Sequence, residues 1–159
     1  MRAEAFDDAN RDLVLRFIER VRNGGDLEAL EEFFAPTVVE HAPSGLMKTT
    51  SIEVEEIRRQ YAGFRAMFPD TRFDLHVLVA DGDLVVTCGV LIATGTGAIG
   101  AEGAVASRPE MRLYRIADGK IVETWAVMDL LGWRQQLGLL TVAPAVPVVD
   151  QLRTDTERK

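Results

Sequence analysis

The chain has 159 residues and a formal net charge of −7, from 18 Lys and Arg against 25 Asp and Glu, so its length fits one domain and excludes two ordinary ones. The acidic balance disfavours nucleic acid and anionic membranes as partners, because both are themselves negatively charged. A single cysteine, Cys88, and two histidines, His41 and His76, exclude a disulfide framework within the chain and a metal site rich in these residues.

The chain shows no targeting pattern. Met1 to Asp12 is charged throughout and lacks the apolar stretch of a signal peptide. The longest nearly apolar run, Leu84 to Ala93, is about half as long as a membrane-spanning helix. We therefore expect a soluble, cytoplasmic protein.

The first third of the chain predicts two helices. Apolar residues spaced three and four apart predict a helix over Asp7–Asn23, ended by Gly24 and Gly25. Asp26 is a suitable cap for a short second helix, which Pro36 ends. Val38–His41 is then a brief extended piece, followed by a loop at Pro43-Ser44-Gly45.

A third helix has the most regular apolar stripe in the sequence. It begins at Thr50 or Ser51, where Glu53 could complete a capping box, and ends at Phe68-Pro69-Asp70. The stripe consists of Val54, Ile57, Tyr61, Phe64 and Phe68.

From Phe73 onward the apolar period changes from helical to two, which predicts strands. The second strand is almost wholly apolar, so we expect it to be central and covered on both faces. Turns fall at Asp81-Gly82-Asp83 and Asp118-Gly119. The predicted strands are Phe73–Val79, Leu84–Ala93, Glu110–Ile116 and Lys120–Asp129, followed by a short helix or turn over Leu130–Leu140.

Helices followed by strands predict an α+β fold rather than an alternating α/β fold. We expect one domain over residues 1–140, in which three helices pack on a curved antiparallel sheet and enclose a cone-shaped cavity. Residues 141–159 contain prolines and a charged end, and we expect a loosely ordered tail.

Gly95–Gly100 matches the G-x-G-x-x-G pattern of dinucleotide-binding loops and follows an apolar strand. The residues after it make a poor helix, because Gly103 and Pro109 interrupt them, and no βαβ unit surrounds them. The preferred interpretation is a glycine-rich loop between antiparallel strands, which could border the cavity as a mobile rim.

Several short segments, in order, resemble the SnoaL-like polyketide cyclase family of the nuclear transport factor 2-like superfamily, from about Asn10 to Leu140. These segments are Asn23-Gly24-Gly25-Asp26-Leu27, Phe34-Ala35-Pro36, Val39-Glu40-His41, Phe68-Pro69-Asp70, Thr94-Gly95-Thr96, Tyr114–Glu123, Trp125, Asp129 and Gln136-Leu137-Gly138. The resemblance implies a cone-like α+β barrel with a deep apolar pocket, no cofactor and frequent homodimerisation through the sheet. It also implies acid/base closure of polyketide rings, although relatives include epoxide hydrolases and isomerases.

Two polar groups common in that family are missing here. Where members often carry His-Trp-Asp in the last strand, this chain has Thr124-Trp125-Ala126, and Gly97 stands where a histidine often follows Gly-Thr. Thr124 and Ala126 share one strand face. If that face lines the pocket, the pocket is wider and less polar than is usual in the family.

Asp129 and His41 are the candidate catalytic residues. Asp129 ends an apolar strand segment, where desolvation would raise the pKa of its carboxyl and suit it to act as a base. Alternatively, Asp129 caps the following turn. His41 has the titration range for proton transfer, but it could equally be a structural group at a strand end. We expect His76 to face solvent or a dimer partner.

Five residues are candidates for substrate binding. Tyr61 and Phe64 could line the cavity from the third helix, although such stripes mostly form core. Trp125 could offer a flat wall, and Thr124 would line the pocket with its strand face. Arg112 could hold a carboxylate or carbonyl oxygen if it points inward, although it could instead be exposed.

The sequence thus predicts a cofactor-free, metal-free cyclase or isomerase of a small, apolar, polyketide-like substrate. Proton transfer or conformational templating, as in a cycloaddition, would close the ring, since holding the ends in reactive geometry can contribute about 7–11 kcal/mol. The alternatives are an epoxide hydrolase, which needs at least two pocket carboxyls, and a binding protein without turnover.

Overall fold

The computed structural model describes residues 2–41 and 49–141, and for residues 2–6 it describes the backbone alone. Both the expected Pro43-Ser44-Gly45 loop and nearly all of the expected tail lie outside these residues. None of the helices in the described part of the chain has the length and apolar character that a membrane crossing requires.

One long helical segment opens the fold. Helix α1 spans Arg2–Phe17 and continues as a π-helix over Ile18–Asn23. The predicted apolar stripe is confirmed, because Leu13, Val14, Phe17, Ile18 and Val21 are all buried. The π-helix also buries Arg22, which the apolar pattern did not predict. π-helical turns are rare and frequently occur at functional sites.

The next segments differ from the predicted order of helices. Helix α2 is only Leu30–Phe33, and strand β1 begins directly at Phe34 and runs through Pro36 to His41. Thr50–Glu53 forms strand β2, which pairs antiparallel with β1, so the predicted capping box is wrong. Helix α3 then spans Val54–Met67, and its first residues make no side-chain cap.

The rest of the chain forms the predicted meander, in which the first three strands are longer than predicted and the last ends one residue earlier. These elements are β3 (Arg72–Asp81), β4 (Leu84–Thr94), β5 (Val105–Ala117), β6 (Lys120–Met128) and the short helix α4 (Leu130–Gln136). Both predicted turns are present, and Asp118 and Gly119 adopt positive φ angles of 50° and 71°. Such angles suit the two-residue turns that match the twist of hairpins.

The six strands form one sheet in the order β2-β1-β6-β5-β4-β3. The α+β class is confirmed, and so is the antiparallel meander, which β3 to β6 form. The whole sheet is mixed rather than antiparallel, because β1 lies parallel to β6. The parallel pair was not predicted, because the pairing of β1 with the distant β6 is a tertiary contact that local sequence pattern does not show.

The inner and outer faces of the sheet differ sharply. Along β4 every second residue is buried and the residues between them are only half-buried, so the expected full cover on both faces is wrong. The inner face packs against α1, the π-helix and α3 and forms the core with Phe17, Phe33 and Tyr114. The outer face has a cross-strand row of Val77, Cys88, Met111 and Val127.

Candidate functional site

A cavity of about 190 Å³ lies between helix α3 and the inner face of the sheet. We call it the first lobe. Its described lining is both aromatic and rich in arginine: Arg22, Gln60, Tyr61, Phe64, Arg65, Thr71, Arg72, Phe73, Leu91, Arg108 and Arg112. No acidic side chain is among these described lining residues. The first lobe therefore presents positive charge to whatever enters it.

A smaller cavity of about 70 Å³, the second lobe, adjoins the first. Its described lining is Phe34, Val38, Glu40, Ile52, Ile57, Gln60, Tyr61, Arg112, Tyr114 and Thr124. The two lobes share Gln60, Tyr61 and Arg112, which places these residues at the junction. A ligand longer than either lobe would therefore pass between Tyr61 on the helix and Arg112 on the sheet.

Strand β5 supplies the polar floor of the cavity through its alternating residues. Arg108, Glu110, Arg112 and Tyr114 all point to the inner face, because side chains two apart share a face. Arg112 has only 19% of its side chain exposed and lines both lobes, so the exposed alternative for this residue is wrong.

Three guanidinium groups meet on the fully buried carboxylate of Glu110. Arg22 donates to its Oε1 atom over 2.6 Å and Arg112 donates to the same atom over 2.7 Å. Arg108 lies 3.4 Å from Oε2. One negative charge thus faces three positive charges, and this group, the Glu110 cluster, has an excess charge of about two in a desolvated place.

The pKa values in the Glu110 cluster reflect burial and mutual attraction. Desolvation acts to raise the pKa of Glu110, but the nearby Arg112 and Arg22 outweigh it and lower that pKa to about 2. Desolvation lowers the pKa of Arg108, whereas the pKa of Arg112 is raised because Glu110 outweighs the cost of its burial. Glu110 is therefore a fixed anion at neutral pH and a poor proton acceptor.

Several buried donors around the lobes have no hydrogen-bond partner. They are Arg22 Nη1, Arg65 Nε, Arg108 Nε, the Thr71 hydroxyl and the Tyr114 hydroxyl, all in lining residues. Burial raises the pKa of Tyr114, so its phenol keeps its proton near neutral pH. An unpaired buried donor costs roughly 1–3 kcal/mol, and a ligand oxygen in the cavity would recover that cost.

Aromatic rings pack against two of the guanidinium groups of the Glu110 cluster. The Arg22 guanidinium lies 4.0 Å from the ring centre of Phe73, and that of Arg108 lies 5.2 Å from Trp133 and 5.6 Å from Phe64. Such cation–π contacts leave the edges of the guanidinium groups free to donate hydrogen bonds.

The glycine of β4 opposite the Glu110 cluster makes room for this packing. Gly89 pairs with Glu110 across the sheet, and a Cβ atom there would lie 2.3 Å from the backbone oxygen of Asp74 and 2.7 Å from the Phe73 ring. The position of Phe73, and hence of Arg22, depends on this missing side chain.

The structure brings four of the seven predicted site residues to the cavity. Tyr61 and Arg112 line both lobes, Phe64 lines the first and Thr124 lines the second. Ala126 pairs with Arg112 on the same inner face as Thr124. The face of Thr124 and Ala126 thus points inward, as the expectation of a less polar pocket required, but the arginines of the first lobe make the cavity as a whole polar.

His41 and Trp125 lie on the outer face of the sheet instead. Their rings stack with centres 4.6 Å apart, and the His41 Nε2 atom lies 2.7 Å from Glu123 Oε1. Their neighbours in the chain, Glu40 and Thr124, line the second lobe, and residues adjacent in a strand point to opposite faces. Neither His41 nor Trp125 is among the described residues that line a lobe.

Asp129 is exposed, and its carboxylate accepts a 2.8 Å hydrogen bond from the Gly132 backbone N–H. This contact caps helix α4, which is the alternative that the sequence left open. The apolar surroundings expected for its carboxyl are absent, since Asp129 is exposed and is not among the described lining residues of either lobe. His76 is exposed, as expected.

Sequence reasoning missed Arg22, Arg108 and Glu110. The signal was present in β5, where charged residues alternate in phase with the apolar Tyr114 and Ile116. Residues at every second position of a strand share a face, so the pattern predicts a common face for them. A buried face that carries several charges was not expected, because charged side chains usually lie at the surface.

The glycine motif Gly95–Gly100 lies in the loop between β4 and β5, which are antiparallel neighbours. Strand β5 follows it rather than a helix, so the loop interpretation holds and the dinucleotide-binding geometry is absent. The loop is held at the end of α4, because the Ala101 backbone N–H donates to the Leu137 carbonyl. Gln136 of α4 joins β5 instead: its side chain accepts from the Ser107 backbone N–H and donates to the Ser107 carbonyl.

A cone-like α+β protein with an aromatic and cationic cavity is the class that this fold and site define. The family model for SnoaL-like polyketide cyclase matches residues 12–137. The chain therefore belongs to the SnoaL-like polyketide cyclase family, of the nuclear transport factor 2-like fold.

Solved structures agree with this assignment. A candidate polyketide cyclase from Acidithiobacillus ferrooxidans is 26% identical with a TM-score of 0.74, covering 84% of this chain and 96% of its own. IdmH, a candidate polyketide cyclase from Streptomyces antibioticus, is 29% identical with a TM-score of 0.71, covering 81% and 98%. AclR, a candidate hydroxylase from Streptomyces galilaeus, is 21% identical with a TM-score of 0.75, covering 95% and 94%, and shows the fold alone. No protein with a curated description matches this chain.

Proposed function

We propose that this protein is a cofactor-free cyclase of an apolar, polyketide-like substrate, and that Arg112 and Tyr114 hold the carbonyl oxygen at which the ring closes. The observation that carries this proposal is the buried Tyr114 hydroxyl, which has no partner and lines the second lobe together with Arg112. Donors fixed at the place where negative charge develops on oxygen lower the barrier to reaction. The names of the similar polyketide cyclases support the same reaction class.

The walls of the two lobes would fold the chain of the substrate. Tyr61 and Phe64 form an aromatic wall on α3, and the small Ala126 leaves space beside Arg112. Because a flexible chain loses freedom on binding in this shape, ring closure starts from a reactive conformation, an effect that can contribute up to about 7–11 kcal/mol. Templating therefore takes the main role, and the two donors polarise the carbonyl.

Where the closure is an aldol step, a base removes a proton from the carbon beside one carbonyl, and that carbon bonds to the second carbonyl carbon. The second oxygen becomes an alkoxide that Arg112 and Tyr114 stabilise until it takes up the proton that the base removed, which leaves the base free again. Glu40 is the carboxylate among the described lining residues that could accept the first proton. A cycloaddition needs no base, and the same donors would activate its carbonyl-bearing partner.

The other candidate functions have less support. An epoxide hydrolase needs two carboxyls at the pocket floor, and the described lining of the lobes offers only Glu40. A binding protein without turnover would use the same donors, so kinetics must separate it from a cyclase.

Two synthetic linear probes test the proposal: a trioxo chain for aldol closure, and a chain with a diene and an enone for cycloaddition. Each is made with a free carboxylate at the end remote from the reacting groups, and also as the methyl ester of that acid. We expect the protein to accelerate one closure over buffer, and Tyr114→Phe to reduce that acceleration by about 10²-fold, as for one oxyanion donor. The control is Arg115→Gln, on the same strand but on the outer face, which should retain the rate. No acceleration of either probe, with both probes bound, would favour the binding protein.

We also propose that the protein forms a homodimer through the outer face of the sheet. Val77, Met111 and Val127 are 51%, 50% and 70% exposed and lie in one cross-strand row. A contiguous apolar row of this kind is typical of an interface. Val127→Glu should shift the mass measured by light scattering from dimer to monomer, and a monomeric parent protein would contradict the proposal.

A further inference from the structure

The Glu110 cluster contains more positive charge than any role in folding requires. A single carboxylate could be neutralised by one guanidinium, yet Arg22, Arg108 and Arg112 all contact it. Arg22 and Arg108 have only 4% and 10% of their side chains exposed. Burying an uncompensated charge is costly, so a buried excess of this kind indicates a missing anion.

The unpaired donors show where such an anion would lie. Arg22 Nη1, Arg108 Nε and the Thr71 hydroxyl have no partner and belong to the lining of the first lobe. Arg22 and Arg108 each use a different nitrogen, Nη2, on Glu110, so each guanidinium keeps one buried nitrogen without a partner besides its bond to the cluster. Two charged N–H donors and a hydroxyl suit the two oxygens of a carboxylate, because hydrogen bonds between ionised groups are stronger than neutral ones.

The first lobe also limits the shape of the ligand. Phe64, Phe73 and Leu91 line it beside the arginines, which suits an apolar chain attached to the charged group. The route onward passes Tyr61 and Arg112 into the second lobe, where the Tyr114 hydroxyl lies. The charged group and the reacting carbonyl would therefore occupy different lobes of one cavity.

We infer that the substrate carries a free carboxylate, which Arg22, Arg108 and Thr71 bind in the first lobe while its apolar chain extends toward Tyr114. This inference rests on the proposed function for the reaction in the second lobe, but the binding of the carboxylate does not depend on turnover. The carboxylate acts as an anchor and takes no part in bond formation. It fixes which carbon atoms of the chain reach Arg112 and Tyr114.

A non-reacting probe separates carboxylate binding from catalysis. Decanoate and its methyl ester have the same chain and differ in charge, and neither can cyclise. Trp133 lies 5.2 Å from the Arg108 guanidinium, so its fluorescence reports on the first lobe once Trp125, the other tryptophan, is replaced in a Trp125→Phe background. Decanoate should quench or shift Trp133 emission in a saturable manner and bind at least tenfold more tightly than methyl decanoate.

Variants of the free donors make the test specific. In the same background, Arg108→Gln should weaken decanoate at least tenfold and leave methyl decanoate within threefold. Arg115→Gln, on the outer face, should change neither. Thr71→Val, a substitution of similar volume whose fold is checked by circular dichroism, should weaken decanoate by a smaller factor.

The outcomes separate this inference from the proposed function. Equal affinity for decanoate and its ester, or decanoate binding unaffected by both Arg108→Gln and Thr71→Val, would overturn the carboxylate anchor, whatever the cyclisation assay shows. Selective decanoate binding with no ring closure would uphold the anchor and count against the cyclase. Loss of the folded spectrum in Arg108→Gln would transfer the decision to Thr71→Val and to the comparison of acid with ester.

Discussion

The two faces of strands β5 and β6 each carry a network of arginines and carboxylates, and the networks differ in balance. On the inner face, Arg22, Arg108 and Arg112 share the single buried carboxylate of Glu110. On the outer face, Arg115 has two carboxylate partners, Glu123 at 2.9 Å and Asp83 at 2.6 Å, and is partly exposed.

The difference shows which network has capacity for a ligand. Unpaired buried donors occur in the inner network, at Arg22 and Arg108, whereas none of the buried unpaired atoms found in the described residues belongs to the outer one. The His41 ring adds to the outer network, through Glu123. The outer network is balanced in charge and exposed to solvent, so it needs no ligand. The inner network has buried donors in excess, which is the arrangement that a binding site for an anion requires.

The largest contrast should come from removing the shared carboxylate on each face. Glu110→Gln leaves three guanidinium groups without their buried counter-charge and should lower the free energy of unfolding by about 3–5 kcal/mol. Glu123→Gln should lower it by at most about 1 kcal/mol, because solvent screens the outer network. Urea unfolding of both variants measures the difference, and equal losses would contradict the contrast.

Low pH should also destabilise the protein through the inner network, because it protonates Glu110. The pKa of Glu110 is about 2 in the folded protein against an ordinary value of 4.5, so its contribution is complete above pH 4.5 and is lost as the pH falls toward 2. The difference corresponds to roughly 3 kcal/mol. Between these two pH values, the free energy of unfolding should depend less on pH in Glu110→Gln than in the parent protein, as urea unfolding at several pH values would measure. The same pH dependence in both proteins would contradict a lowered pKa of Glu110.

A smaller effect is expected from filling the space behind the inner network. Gly89→Ala would force the Phe73 ring and the β3 backbone to move, which should lower the free energy of unfolding by about 1–3 kcal/mol. Because Arg22 stacks on Phe73, the affinity for decanoate should fall as well. Gly119→Ala would be a poor control, since Gly119 has positive φ, whereas Gly63→Ala meets no atom within 4 Å and should be neutral or stabilising.

The smallest effect should be at the residue that the sequence favoured most for catalysis. Asp129→Ala removes the cap of α4 and should lower the free energy of unfolding by about 1 kcal/mol, while Asp129→Asn should nearly preserve it. Ring-closing turnover should be unchanged in Asp129→Asn. A 10²-fold loss in that variant would restore Asp129 as the base and contradict the placement of the chemistry in the two lobes.

More of the fold than of the site could be predicted from the sequence. Helical spacing placed the stripe from Leu13 to Val21 correctly, and the change to a period of two placed the start of the meander. The strand Thr50–Glu53 could not be distinguished from the start of α3, because its pairing with β1 is a tertiary contact that overrides the local capping pattern.

The site was harder to predict, for a physical reason. Sequence reasoning searches for isolated carboxyls and histidines, which led to Asp129 and His41. The cavity depends instead on Arg22 meeting Glu110, residues that are 88 positions apart in the chain. Only the register of β5 and the direction of the π-helix bring them together, and neither can be deduced from local pattern.

A crystal structure of the protein with decanoate tests the central claim most directly, since it locates the anion with respect to the two faces. The account predicts the carboxylate oxygens within hydrogen-bonding distance of Arg22 Nη1 and Arg108 Nε, with the chain directed toward Tyr61. Decanoate bound on the outer face, or lying in the cavity with its carboxylate turned away from both arginines, would contradict it.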